Sequence, residues 1–183
     1  MELPNIKILD EKNKILRTIS KEVKFPLDKD TKKMITDALV YLEMSQIPEY
    51  SEKYDLRPGM GLSFVQIGIP KRIFVISEEI EDGKFNRYVV INPKIISKSE
   101  ELIYVGEGEG CLSVNREVEG IVPRCARITV DAFDENGEEY TIRVREDMAV
   151  AFQHEIDHLN GILFVDKIDK KNPYKNKEFM REI

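Results

Sequence analysis

Apolar residues recur at helical spacing in two stretches of the chain. Met34, Ile35, Ala38, Leu39, Tyr41 and Leu42 share one face of a helix predicted from residue 30 to about 44, with Asp28 or Asp30 as its cap. The second stretch begins with the small, strongly apolar run Met148-Ala149-Val150-Ala151-Phe152 and continues through Gln153-His154-Glu155-Ile156-Asp157-His158-Leu159-Asn160-Gly161, whose final glycine suits a helix C-terminus. Between the two helices, short β-branched and aromatic runs predict strands at 73–76, 88–92, 95–96, 102–105, 117–122, 128–133 and 140–144. Asp82-Gly83 and Asp134-Glu135-Asn136-Gly137 supply hairpin turns, so the strands should pair antiparallel. A further strand is expected at 162–165. The N-terminal segment reads as an extended arm with a short turn or helix, residues 45–58 with Pro48 and Pro58 as a long connection, and the charged residues 167–183 as surface. The pattern is α+β, with antiparallel sheets around a buried helix.

Composition narrows the class. At 183 residues without a break in composition, one domain spanning 1–183 is expected. The 42% apolar and 34% charged fractions suit a soluble protein, and the net charge of -6 disfavours general nucleic-acid binding. No leader or membrane-spanning run is visible, which points to the cytoplasm. With only Cys111 and Cys125, a disulfide framework is not expected.

The chemistry concentrates where the only 2 histidines lie. Four residues apart on a helix, His154 and His158 present their rings to one point, and Glu155 flanks them. A hydrolytic metal site needs a third protein ligand, an open position and a carboxylate to take a proton. The helical wheel places Glu155 and Asp157 on opposite flanks; the longer Glu155 is the candidate base and Asp157 a structural carboxylate. The third ligand could come from Asp166, Asp169, Glu178 or Glu182 downstream, but that tail has no evident buried helix to hold it. Cys111 is the better candidate, since the glycines of Gly106-Glu107-Gly108-Glu109-Gly110 let the backbone fold close to an ion. Cys125, at a strand entry, has the context of an ordinary buried thiol. Gly59-Met60-Gly61 lacks the third glycine of a dinucleotide fingerprint and the lysine of a phosphate loop.

Three blocks, Gly59-Met60-Gly61-Leu62-Ser63-Phe64-Val65-Gln66, Glu109-Gly110-Cys111-Leu112-Ser113 and Gln153-His154-Glu155-Ile156-Asp157-His158, occur in the order of the peptide deformylase family, which the chain resembles from its N-terminal arm to about Asp169. One departure is Ser63-Phe64, where the family usually carries two alanines. The long 45–58 connection and the tail without a clear amphipathic helix look like the longer form of Gram-positive bacteria. The resemblance implies a deformylase fold with a central buried helix carrying the histidines, and removal of the formyl group from N-formylmethionyl nascent peptides, releasing formate. It implies Cys111, His154 and His158 as ligands of one divalent ion, iron(II) in the cell, with zinc, nickel or cobalt able to replace it. Glu155 would then transfer protons, while the Gln66 amide and the Leu112 N–H would stabilise the developing oxyanion. Met60 and Val150 would wall an apolar slot for the methionine side chain, whose burial is worth roughly 1.5–3 kcal/mol, and Gly61 and Gly110 would offer backbone contacts to the substrate. A monomer is expected, with transient contact to the ribosome left open. Two competing readings are a zinc endopeptidase, which needs a downstream third ligand, and a non-catalytic metal-stabilised protein, in which Glu155 is dispensable.

Overall fold

A computed structural model describes residues 2–183. The N-terminal arm is extended apart from a 3₁₀ turn at Lys14–Arg17. Helix α1 (Lys29–Gln46) is capped by Asp28, whose carboxylate accepts the Thr31 N–H at 2.7 Å. Its Ile35, Ala38, Leu39 and Leu42 are buried, three and four residues apart. The predicted connection is interrupted by a second helix, α2 (Pro48–Tyr54). Pro48 therefore starts an element rather than breaking one: at the first helical position its missing N–H costs nothing and its φ is already helical.

Five strands form the main antiparallel sheet, in the order β1 (Gly61–Ser63), β2 (Ile73–Glu81), β3 (Lys84–Lys98), β6 (Arg127–Phe133) and β7 (Glu139–Arg145). The segments predicted at 88–92 and 95–96 belong to one long strand. Pro93 signals a break in the sequence, but Asn92 adopts φ 50°, anchors its side chain on the Val23 backbone, and marks a shift in the pairing of β3 with β6. Such a bulge accommodates a proline without ending the strand. Both predicted hairpins form. At the second, Asp134 Oδ1 accepts the Asn136 and Glu138 N–H groups.

The sheet is covered on both faces, which explains the continuous apolar run of β2. Ile73 and Val75 face α1 in a cluster with Leu39, Leu42, Leu62 and Ile91. Phe74 and Ile76 face the other way, against Ala149, Phe152, Ile156 and Leu159 of α3 (Glu146–Leu159). That helix closes with Gly161 at φ 73°, where the Gly161 and Ile162 N–H groups return to the His158 and Asp157 carbonyls.

A second sheet has the order β5 (Arg124–Cys125), β4 (Leu102–Tyr104) and β8 (Arg181–Glu182). Most of 167–183 is exposed, as expected of a charged surface tail, but it also supplies a strand: β8 pairs in parallel with β4, and Ile183 packs near Val150. Two predicted strands do not form. Residues 117–122 are irregular: Gly120 takes φ 127° and Val118 and Val122 pack with Val114, Phe164 and Ile168 instead of entering a ladder. Residues 162–165 lead into a 3₁₀ turn at Phe164–Lys167, with the Asp166 carboxylate accepting the Leu163 N–H at 2.9 Å.

Candidate metal centre and cleft

Helix α3 presents its apolar face to the main sheet and its histidines to the irregular segment between β4 and β5. The core positions Ala149, Phe152, Ile156 and Leu159 leave His154 and His158 on an adjoining face, beside Cys111. Ligand atoms of Cys111, His154 and His158 all lie within 4.8 Å of one another. Cys111 Sγ is 3.3 Å from His158 Nε2, 3.4 Å from the Ser113 N–H nitrogen and 3.6 Å from Gln66 Nε2. Asp166, Asp169 and Glu182 pair elsewhere, with Arg17, Lys175 and Tyr104. Cys125 is not among the three; its backbone N–H and carbonyl are bracketed by the Gln153 amide, each at 2.9 Å.

The donor set suits a divalent ion. His154 Nδ1 is 2.9 Å from Glu109 Oε2, so its other ring nitrogen faces the thiol, an arrangement typical of ligating histidines. Burial opposes charge on His154, but its bonds to Cys111 and Glu109 and the charge of Glu155 outweigh that and raise its pKa to about 10. An ion taking the same lone pair replaces that proton. His158 is held well below its usual range by burial, with His154 and Arg124 adding to the effect, and so is the neutral imidazole that a metal requires. Its Nδ1 is buried without a hydrogen-bond partner among the described residues.

Behind the histidines lies an ionic layer that sequence reading missed. Arg124, 2% exposed, donates to Glu109 at 2.7 and 2.9 Å and to Asp157 at 2.6 Å. Burial would raise the Glu109 pKa, yet Arg124 and His154 hold it down to about 2. Glu109 was visible as part of a motif; nothing in the sequence singles out Arg124.

Glu155 is 5% exposed, and burial pushes its carboxyl above the usual range. Its Oε2 accepts from Ser63 Oγ at 2.7 Å, while Oε1 lies so near Gly61 that a Cβ there would sit 2.6 Å away. Gln66 is oriented by Ser63, whose N–H donates to Gln66 Oε1 at 2.9 Å, turning Nε2 toward Ser113 Oγ at 3.1 Å and the thiol. Arg57 clamps the loop from outside, reaching the Cys111, Leu112 and Val114 carbonyls at 2.9, 2.7 and 2.9 Å.

These groups border a cleft of about 550 Å³, lined by Met60, Gly61, Gln66, Gly110, Leu112 and Val150 along with Cys111, His154 and Glu155. All four residues expected in the substrate pocket are thus on its walls. His158 lies deeper, behind the lining.

Residues 6–174 match the family model described as polypeptide deformylase. The chain belongs to the polypeptide deformylase family. It is 49% identical over 169 residues to a peptide deformylase of Halalkalibacterium halodurans, covering 92% of this chain and 93% of the relative. Peptide deformylase 2 of Bacillus subtilis is 46% identical over 163 residues, 89% of each chain, in keeping with the Gram-positive-like form. Among solved structures, a peptide deformylase from Legionella pneumophila aligns with a TM-score of 0.73 at 32% identity over 91% of this chain and 87% of its own. The peptide deformylase from Thermotoga maritima gives 0.71 at 32% identity, covering 90% and 97%. Deformylases are metalloenzymes, and this family member carries a group of one thiol and two imidazoles able to hold an ion.

Proposed function

We propose that the chain, acting as one deformylase unit, removes the formyl group from the N-terminal formylmethionine of nascent polypeptides, with α3 as its central metal-bearing helix. The observation that carries this reading is the convergence of Cys111, His154 and His158 beside a cleft that Glu155 and Gln66 also border. Those three side chains would hold iron(II), with zinc, nickel or cobalt as replacements, in accord with a mixed thiol and imidazole set. When bound, the ion supplies Lewis acidity toward water and the formyl oxygen.

The chain's own groups account for the remaining chemistry. Glu155, bordering the cleft and raised in pKa by burial, is suited to take the proton of the attacking water and pass it to the departing amine. Gln66 Nε2, aimed at the thiol and Ser113, is placed to donate to the oxyanion of the tetrahedral intermediate, with the Leu112 N–H as its companion. Met60 and Val150 offer apolar walls for the methionine side chain, and Gly61 and Gly110 leave backbone accessible for main-chain contacts. Among the described residues, no helix is long and apolar enough to cross a membrane.

The deciding experiment is formate release from formyl-methionyl-alanyl-serine by protein purified anaerobically with iron(II) or nickel(II), beside Cys111→Ala and Glu155→Ala. We expect the first variant to lose the metal and the second to keep it while turnover falls by roughly 10²- to 10⁴-fold. Fully metallated wild-type protein that releases no formate would sink the assignment. Metal retained by Cys111→Ala would instead favour a different ligand set.

A further inference from the structure

We propose that Ser63 is a positioning residue: its hydroxyl holds the Glu155 carboxylate by Oε2 so that Oε1 stays beside Gly61 at the cleft. This deepens the proposed function, resting on the reading of Glu155 as the proton-transferring group.

The arrangement follows from the period of a strand. Gly61 and Ser63 are two residues apart on β1 and face the same side, toward α3, while the intervening Leu62 is buried in the α1 cluster. The two residues bracket one carboxylate. Ser63 Oγ lies 2.7 Å from Oε2, and the missing side chain of Gly61 leaves the space that Oε1 takes, since a Cβ there would stand only 2.6 Å from it. Ser63 is fully buried, so water does not compete for its proton. Its hydroxyl also lies 3.0 Å from the Glu155 carbonyl, but the contact to the carboxylate is shorter and, with Glu155 ionised, charge-assisted. A hydroxyl serving only to tie β1 to the α3 main chain would need nothing beyond the carbonyl contact.

Backbone and side chain of Ser63 have separate tasks. The N–H that orients Gln66 would be supplied by any residue except proline. Only the hydroxyl reaches Glu155, and alanine, the usual residue of the family motif at this position, has none. A glutamate has three side-chain torsions, the last of them broad. In this buried setting Ser63 is the only donor among the described residues that is bonded to the carboxylate.

The test compares wild type with Ser63→Ala and Ser63→Thr, measuring kcat and KM for formate release, bound metal, and crystal structures of the metal-free proteins. We expect Ser63→Ala to lower kcat by about 5- to 50-fold, with KM and metal content within about twofold of wild type, as for a misplaced catalytic group. Its Glu155 carboxylate should leave Gly61 or spread over several rotamers, and Ser63→Thr, which keeps the hydroxyl, should restore position and rate. An unmoved carboxylate in Ser63→Ala, or an unchanged kcat, would overturn the proposal. So would a fall shared by both variants that tracks lost thermal stability, because that is a packing effect. Wild type without formate release would refute the deformylase reading alone, and the Glu155 positions in the crystals would still decide whether Ser63 holds the carboxylate.

Discussion

The two histidines are four residues apart in sequence but differ in their surroundings. His154 is backed by Glu109, and Glu109 by Arg124, which also binds Asp157, so two carboxylates, one from the irregular segment and one from α3, converge on one buried guanidinium. Removing one partner leaves a charge without compensation. Arg124→Ala should therefore cost roughly 3–5 kcal/mol, a fall in melting temperature on the order of 6–20 °C by calorimetry. Glu109→Gln keeps the shape but weakens the link that orients His154; apparent metal affinity, from competition with a chelator, should drop about 10- to 100-fold. Unchanged affinity would mean that packing alone orients the ring, which lies against Phe164 with centroids 6.0 Å apart.

Among the elements, the irregular segment between β4 and β5 depends most on support from outside. It carries Cys111 and Leu112 without a strand or helix of its own, and three carbonyls of residues 111–114 converge on Arg57, just after α2. Losing that clamp should free the loop to shift, displacing the Cys111 thiol and the Leu112 N–H that we propose as an oxyanion donor. Arg57→Ala should lower kcat/KM by about 10- to 100-fold and speed amide exchange across 111–114, while α1 and β2 keep their protection. On the opposite wall, Gly61→Ala brings a Cβ to 2.6 Å from Glu155 Oε1. Formate release should collapse with little change in melting temperature, because the carboxylate, not the core, must move. The predicted 45–58 connection fails for a related reason: Pro48 is ambiguous by itself, and the left-handed Asp55 that ends α2 is not visible as a signal.

At the scale of the molecule, the main sheet separates two cores and fixes α3 between sheet and cleft. Phe152 is fully buried and meets Phe74 edge-on at a centroid distance of 5.3 Å. Phe152→Ala should cost about 3–5 kcal/mol in denaturant unfolding yet leave kcat of the surviving native protein near wild type, the reverse of the Gly61→Ala outcome. That contrast tests whether the core face and the chemical face of α3 are separable.

Sequence by itself determined what depends on neighbours a few residues away. The turn of a helix brings His154, Glu155 and His158 together, the period of two marks the strands, the run of glycines singled out Cys111, and the motif blocks pointed to Gln66 through family resemblance. The tertiary structure decided what depends on distant partners. The bulge at Asn92 that joins two predicted strands into β3, the pairing of β8 with β4, the Arg124 layer, and the contact of Ser63 with a carboxylate 92 residues away were settled only by folding. The physical reason is range: periodicity and capping act within one or two turns of chain, whereas a buried polar group takes whatever partner the packing of separate elements brings within about 3 Å.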